Sequence, residues 1–407
     1  MKLYDNIVIG AGAAGLFFGA LSNPNTESLI IDHSQRPGLK LLLSGNGQCN
    51  ITHDGSIKDF ISRYGSHGRY IRNILYSSNN LSLIDFLNQN GIKTITREDG
   101  KIFPACLKAS EILNLLIHKS ESNGFRLLLK QEITDILYNI DDGTYTVKTK
   151  NDSFKTKKLV IATGGMSYPK TGSDGSLYPL ISKLGIQMAP SRPALAPIYT
   201  HNYKYKCLSG ISFKDIQIRL LENNREIASK TGAMLFTHKS FSGPAILDIS
   251  RYAQSGYELE INYVYPITQG KASEMIKDTF QGNKKEFHTY ISRIFNLPDA
   301  VAVKLIEDAG ICPYMKTSCI EGDEISKISE VLTCHRYIIS GTGGFSEAMV
   351  TSGGISLDEI NLRNMESKKY SNLYFIGEIV DIDGDTGGFN LQFAYSSAAA
   401  AVKNNSG

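Results

Sequence analysis

The sequence predicts an α/β protein in which one parallel-sheet domain is interrupted by a long insertion. A mostly apolar run, 3–9 with Asn6 as an exception, leads directly into a glycine-rich turn, and helical character follows over 13–21. Near the carboxyl end, 372–397 repeats the order strand, glycine-rich loop and helix. Between these blocks the pattern changes to short alternating strands and then to charged helices. A single split domain explains the two outer blocks better than three consecutive domains do.

The glycine-rich turn has the spacing G-x-G-x-x-G, which is typical of dinucleotide-binding folds when a strand precedes it and a helix follows. Gly10 permits the turn, Gly12 lets the backbone approach a pyrophosphate, and Gly15 lets the helix pack closely on the strand. Ala13 and Ala14 begin the helix, whose N-terminal N–H groups and partial positive charge attract phosphate. The alternative is a glycine-rich turn in some other α/β domain.

A second apolar run, 28–31, ends at Asp32, roughly 20 positions beyond the glycines. At that place a carboxylate accepts hydrogen bonds from the ribose of a bound dinucleotide. The glycine turn, both strands and the acidic residue together predict a Rossmann-like dinucleotide site at the start of the chain.

Length and composition indicate a multidomain globular protein. At 407 residues the chain is long enough for two or three domains. Its net charge of +3 does not by itself indicate nucleic acid or an acidic membrane as a partner. No apolar stretch reaches the roughly 18 residues that a membrane span needs. Because a strand begins almost at Met1, we expect no signal peptide, no membrane partner and a cytoplasmic location.

The cysteines and histidines do not predict a metal site. Six cysteines are scattered without a C-x-x-C pair, and the eight histidines form no H-x-x-x-H or Cys/His cluster. We therefore expect no bound metal and no redox-active dithiol. In a reducing cytosol most of these cysteines are expected to be buried, small apolar side chains.

The pattern of strands and helices divides the chain into several segments. Residues 1–190 form the first part of the dinucleotide-binding domain, and within it a helix over 110–124 is expected to be capped by Ser110. The remaining segments are an inserted β-barrel domain at 191–268 and 332–345, a helical insert at 269–331, and the second part of the first domain at 346–407.

Four further segments are rich in glycine and small polar residues. They are 40–50 (K-L-L-L-S-G-N-G-Q-C-N), 162–175 (A-T-G-G-M-S-Y-P-K-T-G-S-D-G), 235–244 (L-F-T-H-K-S-F-S-G-P) and 377–390 (G-E-I-V-D-I-D-G-D-T-G-G-F-N). Together with V-T-S-G-G-I-S at 350–356 and in this order along the chain, they match a known family. The chain resembles the BaiN/RdsA-type (YhiN-like) NAD(P)/FAD-dependent oxidoreductases over nearly its whole length. Members of that family commonly carry arginine where this chain has Gln48.

The resemblance implies FAD bound in a Rossmann-like domain of the glutathione-reductase type, with the inserted β-barrel plus helical domain covering the flavin. The turn at 163–165 follows a strand and suits the adenosine half, whereas Gly377 with Asp381 or Asp383 suits the ribityl chain and pyrophosphate. The helix that begins near Asn390 would face the flavin pyrimidine edge, where its dipole stabilises negative charge. The residues expected to bind FAD are Gly10, Gly12, Ala13, Ala14, Gly15, Asp32, Lys40, Ser44, Gly45, Asn46, Thr163, Gly164, Gly165, Gly377, Glu378, Asp381, Gly387, Gly388, Phe389 and Asn390.

Two residues are candidates for the catalytic proton donor. Reduced flavin transfers a hydride to an activated carbon while a protein acid supplies the proton. Cys49, in a glycine-rich loop, and His238, in the inserted domain, are the candidate proton donors. The alternatives are a buried structural cysteine and a hydrogen-bonded structural histidine. Tyr168 is a further candidate for orienting a carbonyl group.

The electron source is implied by the resemblance alone. No second G-x-G-x-x-G unit follows the first, so the sequence contains no complete separate NAD(P)H domain. We therefore expect NAD(P)H to act as a transient reductant that binds over the flavin, unless another donor supplies the electrons.

The resemblance implies reduction of a conjugated C=C bond and leaves two classes of acceptor open. One is a small steroid-like enone, and the other is a uridine in ribosomal RNA that becomes dihydrouridine. Residues 199–206 (Y-T-H-N-Y-K-Y-K) and Lys284 with Lys285 favour RNA, although a solvated strand face explains the same pattern. A third interpretation is a non-catalytic FAD-binding redox sensor or scaffold, whose flavin no pyridine nucleotide reduces.

Overall fold

The structure is a computed structural model, and it describes residues 1–278 and 285–403. Contacts divide the chain into two compact units: Met1–Ala194 with Phe345–Gly407, and Leu195–Gly344. Of the predicted helical insert, 279–284 with Lys284 lie outside the described residues, as do 404–407 of the final segment.

Most strands and helices of the first unit lie in its first segment, before the insertion. Its strands up to the insertion are β1 (Leu3–Ile9), β2 (Ser28–Ile31), β3 (Thr52–His53), β4 (Thr94–Thr96), β5 (Lys101–Pro104), β6 (Phe125–Leu128), β7 (Ile133–Asn139), β8 (Thr144–Thr149), β9 (Ser153–Ile161) and β10 (Met188–Ala194). Its helices there are α1 (Ala13–Leu21), α2 (Leu39–Leu43), α3 (Ile57–Ser62), α4 (Gly68–Ser77), α5 (Asn80–Gln89), α6 (Ala109–Ser122) and α7 (Tyr178–Lys183). The predicted cap of α6 is wrong: the helix begins one residue earlier, so Ser110 lies within its first turn and Lys108 precedes it without a side-chain cap.

The second unit and the final segment contain the remaining elements. The second unit has strands β11 (Ile198–Thr200), β12 (Ser212–Glu222), β13 (Arg225–Phe236), β14 (Phe241–Ser242), β15 (Glu258–Asn262) and β16 (His335–Thr342), and helices α8 (Pro244–Ile249), α9 (Gln269–Asp278), α10 (Phe287–Phe295), α11 (Asp299–Asp308) and α12 (Gly322–Cys334). The final segment returns to the first unit with β17 (Val350–Ile355), β18 (Ile360–Asn361), β19 (Glu366–Ser367), β20 (Leu373–Phe375) and α13 (Phe389–Lys403).

A parallel layer at the centre of the first unit brings several loops to one edge. Within the described residues the main sheet has the path β18-β19-β20-β9-β1-β2-β6, with β7 and β8 attached beside β9. Strand β1 is parallel to both neighbours, and Ile9 aligns with Ile31 on β2 and Ile161 on β9. Phe375 at the end of β20 aligns with Ile161 in turn. The loops that follow these four strands therefore leave the sheet at the same edge, which is where open α/β sheets bind ligands.

The second unit is a closed barrel accompanied by helices. Its described strands follow the order β11-β14-β13-β12-β15-β16 and close on themselves. Apolar side chains of barrel strands and of α9 to α12 share one core, represented by Ile218, Phe236, Ile291 and Leu305. The fold class predicted from the sequence, a Rossmann-like domain split by an inserted barrel and helices, is confirmed.

A buried polar network lies in the second unit. The Tyr337 hydroxyl is 2.8 Å from that of Tyr205, 2.6 Å from that of Tyr263 and 2.7 Å from Nδ1 of His335. Tyr205 also donates to the Asp308 carboxylate. Burial lowers the pKa of His335 from 6.5 to about 4, so the imidazole is neutral in the folded protein at neutral pH.

We expect this histidine to make the protein less stable in mild acid. The folded pKa is depressed, so the unfolded state binds more protons as pH falls below 6.5, and the loss levels off near pH 4 at about 3 kcal/mol. Chemical unfolding monitored by circular dichroism between these pH values should show the loss in the natural protein and a smaller one in His335→Gln. Identical pH profiles for the two proteins would contradict the assignment.

Candidate functional site

Two of the three motif glycines are required by the protein's own packing. Gly10 follows β1 with φ of 111°, and its N–H donates to the Ile31 carbonyl at 2.8 Å. A Cβ at Gly10 would lie 2.4 Å from the Ala162 carbonyl oxygen. A Cβ at Gly15 would lie 2.0 Å from the carbonyl oxygen of Gly10. Both positions therefore hold the turn against neighbouring backbone.

Gly12 differs, because the space around it is open. It is the N-cap of α1, and no side chain caps that helix. A Cβ at Gly12 would meet no atom within 4 Å. The first N–H groups of a helix have no partner inside the helix, so those beginning at Ala13 and Ala14 face this opening. The open space at Gly12 and the uncapped start of α1 together form a cradle suited to an anion, at the point where the motif predicts a pyrophosphate.

The Asp32 carboxylate is fixed at the end of β2. Its Oδ2 accepts from the Ala11 N–H at 2.6 Å, and its Oδ1 accepts from the Ser34 N–H at 2.7 Å and from the Ser34 hydroxyl at 2.5 Å. These bonds link the end of β2 to the glycine turn. They also leave acceptor capacity on both oxygens for a ribose hydroxyl.

A cavity of about 550 Å³ opens beside this carboxylate. Gly10, Asp32, Thr163 and Gly175 are among its lining residues. The hydroxyls of Thr163 and of Ser173, which lies next to Gly164, are buried and have no hydrogen-bond partner among the described residues. Buried hydroxyls are ordinarily satisfied, so these two point to a ligand. The residues present fit the adenosine half of FAD.

Three predicted residues meet around a partly buried ion pair. Lys40 Nζ lies 2.8 and 2.7 Å from the two carboxylate oxygens of Glu378. Glu378 Oε1 also accepts from the N–H of Thr351 at 2.9 Å. A Cβ at Gly165 would lie 2.4 Å from the Thr351 hydroxyl, which itself accepts from the N–H of Met166 at 2.8 Å. The pair therefore connects the first and last segments of the unit at the loop edge.

The loop at 44–50 has a tightly wound backbone. Gly45 and Asn46 have φ of 56° and 55°, and Cys49 has φ of 62°. The Ser44 hydroxyl donates to the Leu41 carbonyl at 2.7 Å, and its own carbonyl accepts from the Cys49 N–H at 2.9 Å. Left-handed conformations are uncommon for residues with side chains, and they persist where surrounding structure enforces them. The backbone conformation of this loop is therefore held in place by the surrounding structure.

Cys49 is fully buried within the first unit. The expectation that most of the six cysteines are buried is wrong, because four of the others are exposed. Burial raises the pKa of its thiol from 9.0 to about 11, and a hydrogen bond with Ser44 opposes part of that rise. The thiol therefore keeps its proton at neutral pH, and no surface of it is exposed for a substrate to contact.

We expect Cys49 to resist alkylation in the folded protein. Its thiolate fraction at pH 8 is roughly 100-fold below that of an unperturbed cysteine, and access is blocked as well. Iodoacetamide labelling followed by peptide mass spectrometry should modify the exposed Cys106 and Cys312 first and Cys49 only after unfolding. Labelling of Cys49 at the rate of Cys106 in native protein would contradict this assignment.

Gln48 lies in contact with a cation supplied from elsewhere. Arg97 donates from its guanidinium to Gln48 Oε1 at 2.6 Å. The same guanidinium lies over the Phe103 ring, 4.0 Å from its centroid. An arginine is therefore present beside position 48, although position 48 itself is glutamine.

The segment that follows β20 packs against the start of α1. A Cβ at Gly377 would lie 2.5 Å from Cβ of Ala14, and the Gly377 N–H donates to the Ser397 hydroxyl at 3.0 Å. Asp381 Oδ1 accepts from the N–H of Gly353 at 2.9 Å. These contacts place the predicted ribityl-binding segment beside the predicted pyrophosphate cradle.

Two asparagine side chains fix the glycine-rich segment before α13. The Asn390 amide exchanges two hydrogen bonds with the backbone of Gly384, at 2.8 and 2.9 Å. Asn50, in the amide orientation that satisfies both its ends, accepts from the N–H of Gly388 at 3.2 Å. Gly387 and Gly388 have φ of 118° and 95°. The start of α13 is therefore fixed to the loop at 44–50.

An aromatic cluster surrounds the first residue of that helix. Phe389 stacks on His53 with ring centroids 5.4 Å apart and contacts Phe60 edge-on at 5.0 Å. The Tyr64 hydroxyl donates to the Phe389 carbonyl at 2.8 Å. Phe389 thus serves as a packing anchor for the glycine pair.

His238, the other candidate proton donor, belongs to the second unit. It is exposed in the turn between β13 and β14. The Thr237 hydroxyl shapes that turn by donating to the Ser240 carbonyl at 2.8 Å.

Three polar residues at the loop edge were missed as site residues in the sequence analysis. Thr351, Ser173 and Asn50 each lie in a glycine-rich motif that carried the family resemblance. Within those motifs the glycines were taken to indicate the cofactor site. The polar residues beside the glycines also indicate it, because such side chains can form hydrogen bonds with a ligand.

Residues 4–404 match the family described as HI0933-like protein Rossmann domain. The chain belongs to this family. It is 30% identical over 417 residues to a ribosomal RNA dihydrouridine synthase of Escherichia coli, covering 99% of this chain and 98% of that protein. It is also 30% identical to the enzyme of the same name from Haemophilus influenzae, covering 98% and 97%.

A third relative has a different printed activity. The chain is 24% identical to a 3-dehydro-bile acid delta(4,6)-reductase of Clostridium scindens, with 97% of each chain covered. Membership of the family confirms the predicted enzyme class, an FAD-dependent oxidoreductase.

Two solved structures are similar to this chain in fold but not closely in sequence. A flavocytochrome c3 fumarate reductase aligns with a TM-score of 0.50 and 12% identity, covering all of this chain and 79% of that one. A 3-ketosteroid-delta4-(5alpha)-dehydrogenase from Rhodococcus jostii RHA1 aligns with a TM-score of 0.51 and 13% identity, covering 98% of this chain and 97% of that one.

Within residues 1–278 and 285–403, no helix is long and apolar enough to cross a membrane. The same part of the chain contains no cluster of metal-ligating side chains.

Proposed function

We propose that this protein reduces the conjugated C=C bond of a uracil in ribosomal RNA, with NAD(P)H as the electron source. The observation that carries the proposal is the 30% identity to two ribosomal RNA dihydrouridine synthases over nearly the whole chain. A uracil C5=C6 bond is conjugated with the C4 carbonyl, so it accepts a hydride at C6 and a proton at C5. FAD, when bound, supplies the hydride.

The first unit has the residues to bind FAD. Gly12 and the first N–H groups of α1 offer the cradle for the pyrophosphate. Asp32, with the unsatisfied Thr163 and Ser173 hydroxyls, suits the adenosine half. We assign the segment from Gly377 to Asn390 to the ribityl chain and the flavin pyrimidine edge, because it leaves the same edge of the sheet.

The proton donor is proposed from the two sequence candidates. Cys49 keeps its proton at neutral pH but is fully buried, which favours a packing role. We therefore place His238 first and Cys49 second. His238→Gln should lower the rate of substrate reduction without changing flavin reduction by NAD(P)H, and Cys49→Ala is the matched comparison. If only Cys49→Ala slows substrate reduction, this order is reversed.

A second acceptor is supported by one specific observation. The relative from Clostridium scindens acts on a 3-dehydro-bile acid, a small steroid-like molecule, and it shares 24% of its residues with this chain. Reduction of a conjugated enone would use the same hydride and proton transfers.

The deciding experiment is an anaerobic titration followed by addition of acceptors. NADPH and then NADH are added to the FAD-loaded protein, and the absorption of oxidised flavin is recorded. We expect bleaching by one of them, then recovery on adding ribosomal RNA transcribed in vitro, with dihydrouridine formed in the RNA. Recovery only with a steroid enone would favour the second acceptor. Flavin that neither nucleotide bleaches would overturn NAD(P)H as the electron source and would indicate a different donor.

A further inference from the structure

Helix α4 presents a basic and aromatic face to solvent. Arg69, Arg72 and Tyr76 are spaced three or four residues apart, so they share one side of the helix, and Tyr70 lies beside them. All four are exposed, with 43% of Tyr70 and 59% of Tyr76 accessible. We name these four residues the α4 face. The two exposed tyrosines stand beside two arginines on one helix, so their rings are accessible to a partner that stacks on aromatic side chains.

Positive charge on this face is not offset locally. The helix contains no aspartate or glutamate. Arg69 lies over the Tyr70 ring, 4.7 Å from its centroid, and donates to the Tyr70 hydroxyl at 2.7 Å. Among the described residues, neither Arg69 nor Arg72 forms an ion pair with a carboxylate. The arginine charges are therefore available to an anionic partner.

The residues just before α4 contact the segment assigned to the flavin. The Arg63 guanidinium lies 3.8 Å from the Asp385 carboxylate and 5.8 Å from the Phe389 ring centroid. His67 Nδ1 lies 4.0 Å from the Asp381 carboxylate. The His67 ring in turn lies beside the Tyr70 ring, with centroids 6.4 Å apart. The end of the α4 face at Tyr70 is therefore connected through His67 to the loop that precedes α13. A large partner whose reacting base enters there would contact the α4 face with neighbouring groups.

We propose that the α4 face docks single-stranded RNA that flanks the acceptor nucleotide. Arginine guanidinium groups bind phosphate in a bidentate manner, and unpaired bases stack on exposed aromatic rings. The mixture of Arg and Tyr on one helix face fits both parts of such a strand. This inference rests on the proposed RNA acceptor and identifies where that acceptor's flanking strand binds.

The test measures RNA affinity of the FAD-loaded protein. The probe is a fluorescein-labelled oligouridylate of about 20 nucleotides, followed by fluorescence anisotropy from about 50 to 200 mM salt. Arg69→Glu/Arg72→Glu should bind at least about tenfold more weakly. The plot of log affinity against log salt concentration should also become less steep by about 1.4, because each lost phosphate contact contributes about 0.7 to its slope. Tyr70→Ala/Tyr76→Ala should also bind about tenfold more weakly, with an unchanged salt slope.

A control variant with the same change in charge separates the loss of a specific docking face from a general effect of net charge on RNA affinity. Arg363→Glu/Lys368→Glu alters exposed residues near β18 and β19, at the far edge of the main sheet. We expect its affinity to stay within about twofold of the natural protein. FAD content and flavin reduction by NAD(P)H establish that each variant is folded. Equal weakening in the control, or natural affinity in both α4 variants, would overturn the docking face.

The two proposals fail differently. If the natural protein reduces and binds ribosomal RNA and the α4 variants bind it equally well, only the docking face is wrong. If the natural protein reduces no RNA and binds neither the oligouridylate nor ribosomal RNA, the proposed acceptor fails and the docking inference fails with it.

Discussion

Replacing Gly12 with aspartate is expected to abolish FAD binding while leaving the protein folded. The new side chain enters open space at the start of α1, so it clashes with no protein atom at its Cβ. Aspartate is a favourable N-cap, and the extended backbone at Gly12, with φ of −82°, accepts it. Its carboxylate would occupy the cradle and repel a pyrophosphate. We expect an affinity loss of at least about 100-fold, or about 3 kcal/mol.

Two further variants show whether the effect is specific. Gly270→Asp also adds an acid near the start of a helix in open space, and it should leave FAD affinity unchanged. Gly15→Ala should instead destabilise the protein itself, because its Cβ would lie 2.0 Å from the Gly10 carbonyl oxygen. The measurements are bound flavin per protein and the Tm of the apoprotein. A Gly12→Asp protein that binds flavin normally would contradict the pyrophosphate assignment.

Replacing Gly388 with alanine should destabilise the start of α13 and weaken FAD binding with it. The Cβ would lie 2.6 Å from Cα of Thr52, and the backbone has φ of 95°. Backbone strain and overpacking each cost roughly 1–3 kcal/mol, so we expect a loss of about 3 kcal/mol in the free energy of unfolding. Relief of the clash requires the glycine pair to move away from β3 and from Asn50, which holds the Gly388 N–H.

Gly143→Ala is the matched control for backbone strain. Gly143 has φ of 66°, but a Cβ there would meet no atom within 4 Å. Its substitution therefore measures the conformational cost alone, about 1 kcal/mol, without the clash. Urea unfolding of both variants gives the difference. Equal losses at the two glycines would show that the contact with Thr52 does not matter.

Local sequence patterns were sufficient to predict the first and last strands and helices of the first unit. The run of apolar residues into Gly10 predicted a buried strand and tight turn, and the structure has β1 followed by α1. The carboxyl-terminal strand, loop and helix were likewise expected, and β20 and α13 are present. These features depend on neighbours in sequence, such as alternating burial and turn residues, so a single sequence contains them. The predicted capping of α6 by Ser110 is wrong because helix ends shift easily by one or two residues, and the observed N-cap is Lys108.

Contacts between distant segments could not be derived in this way. Lys40 and Glu378 are 338 positions apart, and nothing in either segment specifies that they pair. The contact of Arg97 with Gln48 also depends on how the small sheet of β3, β5 and β4 is placed. Cys49 appeared as a candidate proton donor because of its glycine-rich loop. Only the packed structure places it where no surface is exposed and where burial raises its thiol pKa.

The sequence by itself therefore determined the dinucleotide motif, the split order of the domain and the family, because spacing and order are local or linear properties. The tertiary structure decided which motif residues share one edge of the sheet, and it distinguished Gly12, which leaves space for a ligand, from Gly10 and Gly15, which the protein itself requires. It also joined the loop at 44–50 to the start of α13 through Asn50 and Gly388. Such distinctions depend on distances between segments that are remote in sequence, and those distances exist only once the parallel strands have paired.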